Sequence, residues 1–282
     1  MINSIESGLL EDIPETRKLE MDRYGRTKIY DQISTFLQGD RQIAFSLVNH
    51  ALAIVDDEID SSGNEVQLNR AKEILNQGFQ GQEAEITETW GHNIYILGQT
   101  LSRLHDDGFV HAAGIFDEII NYWEIEKQNI DRKEKVLPSV ELDDLSLKIG
   151  KSIGIQFLYL LCPDLAQESR ESIATSYGFA IKLADNLSDL QEDFEQGYVN
   201  ISRENIEKYH LNISDLNEGN LKSYRKTEFG RIKQYYEEGD KIVDEISERY
   251  PSQKKGILIF KDIAHSWLKQ VSDETQENNE DR

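Results

Sequence analysis

A single cysteine, Cys162, stands among the 282 residues. That excludes a disulfide framework and suits a reducing compartment. Proline is almost as sparse, with Pro14, Pro138, Pro163 and Pro251 the only four. Long helices can therefore run without interruption. Positive charge is short as well: 31 Lys and Arg face 53 Asp and Glu, for a net charge of −22. A free-standing nucleic-acid binder needs clustered Lys and Arg against phosphate, so no nucleic-acid partner is expected. No apolar run approaches the roughly 20 residues of a spanning helix. The most apolar stretch, GIQFLYLLC over 154–162, reads as a core helix segment. The start MINSIESGLLEDIPETRK has no basic segment followed by an apolar one, so no secretory signal is read and a cytoplasmic location is expected. Triplets opening at Asn186, Asn200 and Asn212 fit the glycosylation pattern, which without such a signal reads as chance.

What is present is helical period. Hydrophobic residues make up 38% of the chain, with 12 Tyr, 10 Phe and 3 Trp, enough for a sizeable core. In DRQIAFSLVNHALAIVDDEID the apolar positions Ile43, Leu47, Ala51, Ile54 and Val55 recur at helical spacing. NIYILGQTLSRLHDDG and VHAAGIFDEIINYWEIEKQ read as two helices joined at Asp106-Asp107-Gly108. LDDLSLKIGKSIGIQFLYLLC runs to Pro163, a natural stop. Asp164 can cap the next helix, which continues through SIATSYGFAIKLADNLSDLQEDF to Gly197. YVNI is too short for a sheet strand, and two further helices follow over about 219–249 and 253–271. The expectation is an all-α, single-domain chain: a loosely held arm over 1–25, a helical domain over 26–272 and a disordered acidic tail over 273–282.

Two acidic segments sit on otherwise apolar helices. Asp56 and Asp60 are four apart and share a helix face, with Asp57 beside them. Further on, Asp185, Asp189 and Asp193 form a stripe that rotates only ~40° per step. Like charges at this spacing destabilise a helix by a few tenths of a kcal/mol per pair. Two such stripes facing each other would repel, unless divalent cations lie between them. Hard cations take carboxylate oxygens and complete their shells with substrate phosphates. A metal-bound diphosphate is a stabilised leaving group. The segment thus reads as charge lining the mouth of an apolar cavity. A calcium loop does not fit, because Asn69 stands where its terminal Glu is needed. The Gly150-Lys151-Ser152 triplet is no phosphate loop, because Leu145 replaces its first glycine. The six histidines form no paired-ligand spacing.

The segments ALAIVDDEID and KLADNLSDLQEDFEQGYVNISRE, in this order, resemble the squalene/phytoene synthase family of all-α isoprenoid synthases over roughly residues 26–270. At the positions of the family pattern Q-L-x-N-x-x-R-D-x-x-E-D this chain reads Lys182, Leu183, Asp185, Ser188, Asp189, Glu192 and Asp193, with Lys182 in place of the Gln and Asp185 in place of the Asn. NIEKYHLNISDL, just after it, also has a family counterpart. The family arginines are replaced by Ala53 and Ser188, and the Tyr-rich segment reads Leu145 to Gly154 without tyrosine. The N-terminal Ser-x-Ser-Phe segment reads Arg26-Thr-Lys-Ile-Tyr30. The resemblance implies a single-domain class I terpenoid-synthase-like helical bundle around a central apolar cavity. It implies Mg2+, or Mn2+ in its place, held by Asp56, Asp57 and Asp60 on one side and by Asp185, Asp189 and Asp193 on the other, these six being the catalytic residues. Arg26, Lys28, Lys151 and Lys182 are the candidate replacements for the lost phosphate grips.

The implied activity is magnesium-dependent prenyl transfer: condensation of prenyl diphosphates with loss of diphosphate, as in squalene and phytoene synthesis. Two alternatives remain open. One is a single-substrate terpene cyclase or diphosphate-eliminating enzyme; the other is a non-catalytic prenyl-lipid-binding scaffold of the same fold. An oily product would add loose, peripheral contact with a membrane surface to the cytoplasmic expectation.

Overall fold

The computed structural model describes residues 23–54, 65–213, 216 and 218–280. Helices follow one another as α1 (Arg26–Phe36), α2 (Asp40–Ile54), α3 (Glu65–Phe79), α4 (Gly91–Asp106), α5 (Ala112–Asp131) and α6 (Ser139–Leu161). Then come α7 (Gln167–Ile173), a π turn (Ala174–Gly178), α8 (Phe179–Ser188), α9 (Leu190–Glu195) and α10 (Arg203–Tyr209). The long α11 (Glu218–Arg249) and α12 (Lys254–Glu280) close the chain, joined by one 3-10 turn, Pro251–Gln253. No strand occurs among the described residues, so the all-α expectation holds and YVNI is loop. The last helix runs on to Glu280, past residue 272, where the apolar pattern stops. No helix among the described residues is long and apolar enough to cross a membrane.

The apolar spacing sets which helix is central. On α8, Ala180, Leu183, Ala184 and Leu187 recur at helical spacing and are all buried. This face packs against α6, α11 and α12. The opposite face carries Asp185, and the stripe continues into α9. Elsewhere α3 lies on α4, α4 on α2, and α5 on α6.

One contact is unusually close. An added Cβ on Gly150 of α6 would lie 2.0 Å from the Gly178 carbonyl oxygen, and one on Gly178 would lie 2.2 Å from that of Gly150. The missing side chains let the two backbones touch. One turn along, a Cβ added to Gly154 would lie 3.1 Å from Ala174. The glycines of the Gly-Lys-Ser segment therefore serve a helix crossing, and the π turn lays Gly178 against it.

The other end of α6 shows how backbone polarity is handled. The last carbonyls of a helix have no partner within it. Here Arg41 donates to the Leu160 carbonyl and Arg170 Nη2 to that of Leu165 at 2.8 Å, with longer bonds to those of Cys162 and Pro163. The His111 ring adds a contact to the Pro163 carbonyl at 2.5 Å. Cations suit the negative end of a helix. Cys162 is fully buried there, and burial pushes its thiol up to about 12, against the pull of Arg170 and Arg41. It is an inert packing residue.

Candidate active site

Asp185, Asp189 and Asp193 lie on one stripe, as their spacing predicts. Asp189 is the joint between α8 and α9, with φ −90° and ψ 10°. The helical bonding carries across that joint: Asp189 N–H donates to the Asp185 carbonyl at 2.9 Å, and Asp193 N–H to that of Asp189 at 2.8 Å. The stripe is therefore continuous although two helices share it.

The three carboxylates have different partners. Asp185 pairs with Lys182 Nζ at 2.6 Å, one turn back. Asp193 Oδ2 accepts from Asn200 Nδ2 at 2.5 Å. Asp189 sits between them. Loss of water pushes the Asp189 carboxyl up to about 7, and Asp185 and Asp193 push it the same way, against Lys182. Loss of water also pushes Asp193 up to about 6; Lys182 opposes this, Asp185 adds to it, and Asn200 and Arg132 oppose it. Yet Asp189 is exposed and Asp193 half-buried. Because water reaches them, their shifts carry less free energy than those of sealed groups.

Three carboxylates with one close ion-pair partner between them, Lys182, are hard oxygen donors of the kind a divalent cation takes. Among the described residues, however, no group of three or more such side chains converges on one point. The stripe supplies one wall. Asp56, Asp57 and Asp60, the expected opposite wall, lie outside the described residues.

Of the four basic candidates, Lys182 touches the stripe directly. Arg26 donates to Ser266 and Gln270 at 3.3 and 2.5 Å and stacks on Trp267, 4.2 Å from the ring centre. These contacts tie α1 to α12. Lys151 pairs with Glu171 at 3.1 Å, which ties α6 to α7. Lys28 is exposed and lines a groove of about 720 Å3 between α1 and α12, together with Lys254, Lys255 and Asp262.

The sequence pattern missed the polar residues behind the stripe. Asn200 is 7% exposed and Arg132 also 7%, and Arg132 Nη2 donates to Asn200 Oδ1. Asn186, next to Asp185, is equally buried; its Nδ2 donates to Ser146 Oγ at 3.2 Å. The buried state of Asn186 and Asn200 agrees with reading their glycosylation triplets as chance. A polar hollow of about 20 Å3 adjoins both, edged by Asp143, Glu228 and Arg231. Arg231 donates to Asp143 Oδ2 at 2.7 Å and to Glu228 Oε1 at 3.0 Å. Burial holds Glu228 above its ordinary value, with Asp143 adding to this and Arg231 opposing.

A further carboxylate contrasts with these. Asp240 on α11 accepts from Tyr177 in the π turn, from His265 Nε2 at 2.8 Å and from Lys261 Nζ at 3.0 Å. Burial raises it, but these three donors together hold it below the usual carboxylate range.

The fold has known counterparts. A squalene synthase, HpnC of Alicyclobacillus acidocaldarius, matches with a TM-score of 0.59 at 14% identity, over 92% of each chain. A dehydrosqualene synthase solved with a ligand matches with a TM-score of 0.57 at 14% identity, over 92% of this chain and 95% of the other. No protein-family model matches the sequence, and no curated protein does. The architecture is thus that of squalene and dehydrosqualene synthases, as the acidic segments and their order suggest.

Proposed function

We propose that this chain is a divalent-cation-dependent isoprenoid synthase that takes diphosphate off a prenyl diphosphate. One observation carries the reading: Asp185, Asp189 and Asp193 form a continuous stripe of carboxylates, along which loss of water and then the charge of Asp185 and Asp193 raise Asp189 to about 7. Asp185 and Asp193 have one described donor each, Lys182 and Asn200, whereas Asp240, which serves structure, has three. Asp185, Asp189 and Asp193 would hold Mg2+ or Mn2+ from one side, with Asp56, Asp57 and Asp60 completing the site from the other. When bound, such a cation stabilises the charge on a departing diphosphate.

The chain's own residues would do the rest. Lys182, already at the stripe, can turn from Asp185 to a phosphate oxygen. Asn200 and Arg132 hold Asp193 from behind. The buried face of α8 keeps the stripe fixed against α6, α11 and α12, so that the carboxylates are presented without reorganisation. The substrate class, a prenyl diphosphate, comes from the likeness in motif and fold. Carbon–carbon bond formation between two prenyl units is the leading outcome, with cyclisation or elimination as the alternatives.

The test is incubation of the purified protein with Mg2+ and farnesyl or geranylgeranyl diphosphate, with released pyrophosphate followed and products weighed by mass spectrometry. Pyrophosphate with a doubled-length hydrocarbon supports condensation. Pyrophosphate with a single-length product moves the assignment to a cyclase or eliminating enzyme. No release at any chain length overturns the catalytic reading in favour of a lipid-binding scaffold.

A further inference from the structure

Behind Asp193 the buried polar contacts run on past Asn200 and Arg132 to Asn129 and Glu126. Glu126, Asn129 and Arg132 share a face at the end of α5 and are 4%, 8% and 7% exposed. Asn129 Nδ2 donates to Glu126 Oε2 at 3.0 Å, and Arg132 Nε donates to Asn129 Oδ1 at 2.7 Å. Arg132 Nη2 donates to Asn200 Oδ1, and Asn200 Nδ2 donates to Asp193 Oδ2.

The direction of these bonds is fixed by chemistry. A carboxamide is nearly symmetric in shape, so its two ends are told apart only by their partners. A guanidinium donates and never accepts. Arg132 therefore compels both asparagines to turn their oxygens toward it. The amide nitrogen of Asn129 is left for Glu126, and that of Asn200 for Asp193. Were Asn200 flipped, its oxygen would face the Asp193 carboxylate and its nitrogen the guanidinium, two clashes of like polarity.

The loop that carries Asn200 is held just as firmly. Glu134 N–H donates to the Gly197 carbonyl at 2.7 Å, Arg203 N–H to that of Leu137 at 2.9 Å, and Arg132 Nη1 to that of Val199 at 3.2 Å. Gly197, at φ 95°, makes the turn that brings the loop back. Tyr198 N–H returns to the Asp193 carbonyl at 2.8 Å.

We infer that Asn200, oriented by Arg132, is a positioning residue that fixes the rotation of the Asp193 carboxylate and presents its second oxygen, Oδ1, to a divalent cation on the stripe. The inference rests on the proposed metal reading and adds to it the residues that set ligand geometry. Groups behind a metal ligand hold its orientation, and losing one typically weakens metal affinity by about 10–100-fold.

The experiment is calorimetric titration of the whole chain with Mg2+ and with Mn2+, for wild type, Asn200→Ala, Asp193→Glu and the double variant. Asn200→Ala is expected to weaken binding by about 10–100-fold with its circular dichroism unchanged. Asp193→Glu keeps a carboxylate but moves it off the amide, so Asn200→Ala should then cost less than about 2-fold more, the non-additivity of groups in contact. Equal affinity of wild type and Asn200→Ala overturns the inference and leaves the metal site standing. An equal loss in both backgrounds also overturns it, because Asn200 would then act on the fold and not through Asp193. No binding by wild type overturns the metal reading itself, and the inference with it. Should Asn200→Ala fail to fold, Arg132→Lys asks the same question one step back. It keeps the charge and removes the fork that orients the amide, so the same loss, absent in the Asp193→Glu background, is expected.

Discussion

Asp240 and Asp189 are both carboxylates beside the central helices, and the chain treats them oppositely. Asp240 meets three donors, Tyr177, His265 and Lys261, from the π turn and from α12. It is held below its usual range. Asp189 meets two other aspartates of its own stripe and is pushed up to about 7. One side chain joins helices together; the other stores repulsion at a place that water can still reach. Burial pushes both upward, so burial does not distinguish them. The donors do: Asp240 is saturated by three of them, whereas Asp189 faces like charge, as the proposed cation-binding role would require.

The sharpest way to break this contrast is to neutralise each carboxylate in turn. Asp189→Asn should lower prenyl diphosphate turnover by more than the ~100-fold that losing a group behind a ligand can cost, read as pyrophosphate release. Asp240→Asn should leave the turnover of the folded fraction within about 3-fold of wild type; equal effects of the two changes would erase the distinction. Next in size is the response to metal. Mg2+ at about 100 times its dissociation constant should stabilise wild type by roughly 2.7 kcal/mol, seen as a rise in Tm, and that rise should shrink in Asp189→Asn. A full rise in the variant would remove Asp189 from the ligand set.

Asp240→Ala should cost about 1–3 kcal/mol in denaturant unfolding, because the buried Tyr177 hydroxyl loses its acceptor. Asp189→Ala should cost nothing or stabilise the metal-free protein. The smallest effect is that of pH. A carboxyl raised in the folded state binds protons more tightly there than in the unfolded chain, so its contribution favours folding at low pH and is lost as pH rises through its folded value. Metal-free protein should therefore lose stability between about pH 4 and pH 7 through Asp193, near 6, and Asp189, near 7. Asp189→Asn should flatten that slope. Asp240, lowered, acts the other way: its stability is present at neutral pH and lost as pH falls through its folded value. Thermal melts of the two Asn variants across this range compare both slopes.

The stripe is legible in the sequence because one helical period orders it, and the apolar positions Leu183 and Leu187 place it opposite the core. The all-α class follows from the same periods and from the few prolines. Arg132 and Asn200 are not legible. They meet across 68 residues of sequence, and Asp-Arg-Lys-Glu-Lys at a helix end reads as a solvated run. Asp240 likewise looks like one more surface acid on a long polar helix until Tyr177 reaches it. The π turn leaves no compositional trace, although it sets Gly178 against Gly150. Charge alone nominates Arg26, Lys28 and Lys151 as phosphate grips. It does not show that Arg26 stacks on Trp267 or that Lys151 pairs with Glu171. The extension of α12 to Glu280 escapes the apolar pattern because polar residues carry little apolar period.

Lys182 lies one turn before Asp185 and closes on it at 2.6 Å. The stripe thus carries a tethered counter-ion of its own. On the proposed reading, a metal would be taken up by exchange and not by filling a void: the Lys182 ammonium would leave Asp185 as the cation arrived, and would then be free to meet a phosphate oxygen. One side chain would then be a placeholder in the metal-free protein and, on that reading, a hand on the substrate once a metal had displaced it.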